Sequence, residues 1–277
     1  MKLTLDNDRL RTLIPNIIHE VEGETPLYEK LLPWLSSATI WMEQNILSDY
    51  QPEGAIYSLA EKIIVYKAFA DALPSLDVTL SPAGFAVINT DGRAPASKER
   101  VERLILSLNT FVDANLAVLI RELHHSPEWA GSSIGRWFRA TFMPDFDFVT
   151  HFRIRPDFLS IYKAMRAVAL TFEQKLSELY LGHDFLASLR SSYPKFENEG
   201  EAGIFDMIQS AELKYLNVHI SDKEPVCPTP HEIWYLARPI IAQLNYWPEL
   251  KEKWLSEMGE KIQVKPFKNS VKGGFYF

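Results

Sequence analysis

"SKERVERLILSLNTFVDANLAVLIREL", Ser97 to Leu123, carries the strongest pattern in this chain. Its apolar residues Val101, Leu104, Ile105, Leu108, Phe111, Val112, Leu116, Leu119, Ile120 and Leu123 recur at steps of three and four. That spacing puts side chains on one face of an α-helix. Ser97 stands where an N-cap belongs, and Glu99 and Glu102 suit the positive end of the helix dipole. At 1.5 Å per residue the helix is about 40 Å long. Pro127 is expected to stop it. A helix this long with one apolar face needs other helices to cover it, so a helical bundle is the expected fold.

Further stripes support that class. Leu31, Leu32, Leu35, Thr39, Met42 and Ile46 mark one helix. Leu59, Ile63, Tyr66, Ala70 and Leu73 mark another, expected to end before Pro74. Phe158, Ile161, Tyr162, Met165, Ala169, Phe172, Leu176 and Leu179 mark a long one stopped by Gly182. Ile204, Met207, Ile208, Ala211 and Leu216 follow, and then Ile233, Trp234, Ala237, Ile240, Ile241 and Leu244, where Pro239 is expected to kink or divide the helix. Shorter helical pieces are expected at 10–21, broken by Pro15, and at 145–152.

One stretch departs from the helical period: "DVTLSPAGFAVINTDGRAPAS", Asp77 to Ser97. Val78 to Leu80 and Phe85 to Asn89 read as short strands, with turns at "SPAG" and "TDGR". A β-hairpin over 77–96, projecting between two long helices, is the expectation. It must lean on something, because a lone hairpin is marginal in water.

Tyr28, Leu31, Leu35, Met42, Glu43, Gln44 and Ile46 line up with Phe158, Ile161, Met165, Phe172, Glu173, Gln174 and Leu176 at a constant offset of 130. Duplication into two helical halves is one reading, and shared amphipathicity is the other. Two stretches read as linkers: the polar "YPKFENEGEAG" from Tyr193 and the proline-rich "SDKEPVCPTP" from Ser221. The expected organisation is an N-terminal bundle with the hairpin (1–130), a second helical half (131–222), and a C-terminal helical module with an extended aromatic tail (223–277).

The bulk numbers bound what the chain does. Its 277 residues are 47 % apolar and 23 % charged, which excludes wholesale disorder. The net charge of −7 argues against general nucleic-acid binding, which needs clustered Lys and Arg. No apolar run approaches the eighteen or so residues of a membrane span, and no secretory signal is visible at "MKLTLDNDRL". With one cysteine, Cys227, no internal disulfide forms, and the cytoplasm is the expected compartment.

Catalytic motifs are absent: there is no phosphate loop, no GxSxG elbow and no HExxH. His124 and His125, with Glu122 and Glu128, come nearest to a metal cluster, but adjacent helical residues point about 100° apart. His183 and Asp184 in "LGHDF" fit a turn between helices, with Gly182 ending one and Asp184 capping the next. Asp145 and Asp147 fit the start of a short helix. No catalytic, cofactor-binding or metal-binding residue is therefore expected, and the chain is read as a non-enzyme. The last stretch is different in kind. "SVKGGFYF" ends on Phe275, Tyr276 and Phe277, and after Glu260 the charged residues are Lys261, Lys265, Lys268 and Lys272. A basic, aromatic tail on an acidic body reads as a docking segment or, in the plainer reading, as a solvated terminus.

Four segments together carry a resemblance: "LPSLDVTLSPAGFAVINTDGRAPASKERVERL", "FMPDFDFVTHFRIRPDFLSIYKAM", "ELYLGHDFLASL" and "FKNSVKGGFYF". In this order they resemble a family of uncharacterised proteins of Bacteroides-type phages and prophages. Such proteins are similar to the head–tail connector, or adaptor, proteins of tailed phages. The resemblance implies a helical subunit that forms a homo-oligomeric ring and contacts portal and tail proteins. It implies residence in the host cytoplasm during assembly and then at the virion neck, with no membrane and no specific nucleic acid. It brings no catalytic residues. The partner-binding residues expected are Phe85, Val87 and Arg93 on the hairpin and Lys268, Lys272, Phe275, Tyr276 and Phe277 on the tail. Two alternatives stand beside this reading. One is an enzyme with a scattered His/carboxylate site around His183, Asp184 or His124, and the other is a helical protein-binding scaffold of host origin.

Overall fold

The computed structural model describes residues 1, 3–14, 25–76, 97–147, 149, 157–219 and 227–259, and the backbone alone of 78–81, 84–87 and 260–262. The described chain is mainly helical. Eleven α-helices follow one another: α1 Asn7–Leu13, α2 Leu27–Met42, α3 Gly54–Leu76, α4 Lys98–Leu123, α5 Pro127–Gly131, α6 Ser133–Arg139, α7 Phe158–Leu176, α8 His183–Ser192, α9 Glu199–His219, α10 Pro230–Gln243 and α11 Pro248–Ile262. The backbone of β1 Val78–Ser81 pairs antiparallel with β2 Gly84–Val87, Val78 opposite Val87. The chain divides into two compact units, 1–165 and 166–277, and the division falls inside α7. The boundaries expected from the sequence stand at 130 and 222.

In the first unit α3 is the central helix, packed against both α2 and α4. Its buried face includes Ile63, Ile64, Ala68 and Phe69, and α4 brings Leu116, Leu119, Ile120 and Leu123. By length and composition α4 is apolar enough to cross a membrane, although no such span was expected. The buried Asp113 interrupts its apolar face. Tyr66 of α3 stacks on Phe111 of α4 with ring centroids 4.1 Å apart. Arg9 of α1 donates to the buried carboxylate of Glu61 on α3 at 2.6 Å.

Several expectations about helix ends are corrected. Ser97 does occupy the N-cap of α4, but its side chain makes no capping bond. α4 ends at Leu123, short of Pro127, which instead opens α5 at its first turn, where a missing N–H is harmless. α3 runs through Pro74 to Leu76. A proline so near the end forfeits a single helical bond. α10 is likewise continuous through Pro239. Its lost bond would have gone to the carbonyl of Tyr235, whose side chain is 75 % exposed, so water can replace it. The polar stretch from Tyr193 is not a plain linker either. Tyr193 stacks on Phe205, and α9 begins at Glu199, with Asn198 accepting the N–H of Glu201 at 3.0 Å.

Two helices leave the α period in the same manner. After α2, Glu43–Leu47 forms a π turn closed by the N–H of Ser48 on the Glu43 carbonyl (2.8 Å), with Ser48 at φ 57°. After α7, Ser177–Leu181 forms a π turn closed by the N–H of Gly182 on the Ser177 carbonyl (3.0 Å), with Gly182 at φ 85°. In each, one interior carbonyl takes an indole N–H: Trp129 donates to Ile46 (2.6 Å) and Trp254 to Tyr180 (2.9 Å). The turns, their closing residues and the accepting carbonyls share an offset of 134, one helical turn beyond the 130 of the sequence echo, while the two tryptophans lie 125 apart.

Candidate functional site

None of the expected partner-binding side chains can be placed. Phe85 and Val87 belong to β2 by backbone, but their side chains lie outside the described residues, as do Arg93, Lys268, Lys272, Phe275, Tyr276 and Phe277. The geometry of the described residues therefore bears on the alternatives and on the surfaces of the two units.

His124 is buried at the end of α4. Its Nε2 hydrogen-bonds the Pro144 carbonyl at 2.6 Å, and its ring meets Trp129 edge-on at 5.0 Å. Burial lowers its pKa to about 4, helped by the Arg139 charge, so it is a neutral core group at pH 7. Around it Trp129, Phe138, Phe146 and Tyr162 form a connected aromatic cluster. Asp145 accepts the N–H of Asp147 at 2.9 Å, a local turn bond. Among the described residues, no three His, Cys, Asp or Glu side chains converge as metal ligands.

A polar cavity of about 340 Å³ opens in the first unit between α2, α3, α4 and the start of α7. Its charged groups each have a partner within the protein. Lys67 pairs with Asp71 at 3.2 Å and lies 5.0 Å above the Trp41 ring. Lys163 donates to Asn45 at 3.0 Å. Asp113, only 5 % exposed, accepts the backbone N–H groups of Asp157 (2.8 Å) and Phe158 (3.2 Å) and so caps α7 from another helix. Burial raises the pKa of Asp113, and those two N–H bonds oppose the rise.

The "LGHDF" turn works differently from expectation. Asp184 does not cap α8; Gly182 holds the N-cap position without a side chain. The carboxylate of Glu257, from α11, accepts the N–H groups of His183, Asp184 (3.2 Å) and Phe185 (3.0 Å). A negative charge is thus supplied to the positive helix end from within the protein. Asp184 lines a shallow depression beside Lys253 and Glu257, and the His183 side chain is not among its lining.

Two features of the second unit escaped the sequence reading. A groove of about 500 Å³ runs between α9 and α10, walled by Met207, Ala211 and Lys214 on one side and Tyr235, Arg238 and Pro239 on the other. Near it α10 and the turn that follows expose Trp234, Tyr235 and Tyr246, the latter two at 75 %. Under α9 lies a buried ionisable cluster: Glu173 of α7, Arg190 of α8 and Glu212 of α9. Arg190 donates to Glu173 at 2.7 Å. Glu212 is completely buried, and neither of its carboxyl oxygens meets a donor. The sequence did hold a trace of it. Glu212 falls on the stripe of Ile208, Ala211, Tyr215 and Leu216, where a carboxyl does not belong unless it has a partner.

A family of unknown function, DUF6712, matches residues 14–139, a little under half of the chain. The match ends where α6 ends. It takes in the π turn after α2 and Trp129, and none of the second unit. No curated protein and no solved structure matches the chain.

Proposed function

We propose that this chain is a phage or prophage structural protein of the head–tail connector type, a subunit that joins copies of itself in a ring and contacts portal and tail proteins at the virion neck. In this reading it assembles in the host cytoplasm and transforms no substrate. The hairpin residues Phe85, Val87 and Arg93 and the tail residues Lys268, Lys272, Phe275, Tyr276 and Phe277 are its contact points. The observation that carries the proposal is the aromatic surface of the second unit, where Trp234, Tyr235 and Tyr246 are exposed and Tyr235 stands on the wall of a groove. Aromatic side chains dominate interface energies, at about 2 kcal/mol or more each when a partner buries them. A closed ring uses different patches on the two sides of each subunit, and the groove on one copy offers Met207, Tyr235 and Pro239 to the aromatic end of the next copy's tail, while its Lys214 and Arg238 keep the tail's lysines outside. The occupied state of His124, Asp113 and Glu257 also favours assembly over catalysis, because each is spent on holding a helix or a core.

Deleting Gly273–Phe277 tests the proposal. The truncated subunit is expected to keep its melting temperature while particle assembly is impaired. Infectious particles at wild-type yield would refute a docking tail, and a lowered melting temperature of the isolated subunit would show that the tail covers its own body.

A further inference from the structure

We propose that Glu212 stays protonated at neutral pH and donates its carboxyl O–H to Glu173, so that α7, α8 and α9 are tied together by a Glu212–Glu173–Arg190 relay that loosens when the proton leaves. A carboxylate has acceptors only, and so does its neighbour. Glu173 faces Glu212 and has its own charge met by Arg190 at 2.7 Å. With both glutamates ionised, two fully buried oxygens of Glu212 would lack a donor and stand against a like charge in a dry interior. Such a group takes up a proton before it stays charged. One proton resolves both defects: it removes the repulsion and turns Glu212 into the donor that Glu173 can accept. The relay is then neutral overall, with Arg190 balancing Glu173.

The surroundings leave this arrangement in charge. Phe172 and Tyr215, one residue before Glu173 and three after Glu212, stack at 5.1 Å and help close the site. From α11, Lys253 is engaged 3.8 Å from Glu201, eleven positions earlier on α9. From α10, Glu232 approaches His219, beyond Glu212 on the same helix, at 3.9 Å. Burial is the main cause holding the Glu212 pKa well above the carboxyl range, followed by the Glu173 charge, while Arg190 pulls the other way. In the unfolded chain the carboxyl loses its proton near its ordinary pKa of about 4.3. The folded state keeps the proton to higher pH. Stability is therefore greatest below the unfolded value and falls as pH rises toward the folded one.

The test is thermal unfolding of the full chain at a series of pH values between 5 and 9, for wild type and for Glu212→Gln, whose amide N–H can take the place of the carboxyl O–H. The wild-type midpoint for the second unit is expected to fall as pH rises, and Glu212→Gln is expected to lack that component. An unchanged slope in the variant would overturn the proposal. Should the variant fail to fold, the wild-type protein still decides the matter by isotope-edited infrared spectroscopy of labelled glutamate at pH 7. A protonated carboxyl band is expected, and its absence would refute the relay.

Discussion

At the scale of single residues, Gly182 meets two demands at one corner. It holds φ 85° at the exit of the π turn, and a Cβ there would fall 2.3 Å from a carboxylate oxygen of Glu257. Gly182→Ala would strain the backbone and push Glu257 off the three N–H groups it accepts. The expected loss is about 2–4 kcal/mol, from strain and a lost cap together, read as a lower denaturation midpoint. Ser48 occupies the matching corner in the first unit with φ 57° but carries a side chain. Ser48→Gly should relieve that conformation and gain up to about 1 kcal/mol, measured in the same way. A stabilised Gly182→Ala or a destabilised Ser48→Gly would contradict this account. The sequence made part of this legible: a glycine just after an apolar stripe marks a helix stop. It could not show Glu257, because a cap delivered from a helix that lies many residues away is set by tertiary packing and leaves no local spacing to read.

At the scale of elements, the paired π turns depend on tryptophan. Ile46 is buried, and its carbonyl is served by the indole of the equally buried Trp129. Trp129→Phe keeps most of the ring's bulk but strands that carbonyl. Its cost should be about 1–3 kcal/mol for the unmet acceptor. Trp254→Phe should cost less, because Tyr180 is only partly buried and water can reach the site. Equal losses from the two substitutions would count against this. Element existence was the most readable layer: the stripe from Val101 to Leu123 became α4, and the stripes from Leu31, Phe158, Ile204 and Ile233 became α2, α7, α9 and α10. Element ends were read less well. Pro74 and Pro239 lie inside helices because a single lost bond near an end or at an exposed turn is tolerable. The echo at 130 aligned amphipathic stripes, which repeat every turn and so match almost as well one turn away. Only the π turns, with the Ile46 and Tyr180 carbonyls that take the indole N–H groups, identify 134.

For the molecule as a whole, the buried His124 of the first unit and the buried Glu212 of the second answer pH in opposite senses. In the first, His124 is neutral when folded, with its pKa lowered to about 4. An unfolded histidine binds a proton below about pH 6.5. Stability from this site is therefore intact above pH 6.5 and is lost as pH falls toward 4, by about 3 kcal/mol in all. His124→Gln should flatten the acid limb of the first unit's stability curve and leave the fall at rising pH that Glu212 brings to the second unit unchanged. Unchanged acid sensitivity in that variant would discard His124 as its source. Of the two buried groups only Glu212 left a trace in the sequence, by its place on an apolar stripe, since burial is a property of the assembled bundle. Finally, the line between the units cuts α7 partway along its length. A fragment ended at 165 would carry an amputated helix with its hydrogen-bond ladder broken mid-rod, and one begun at 166 would lack the start of the same rod, with the capping carboxylate of Asp113 left behind. Truncation series on this protein should therefore spare the whole of 158–181, and a split placed there would report on a severed spine instead of on either half.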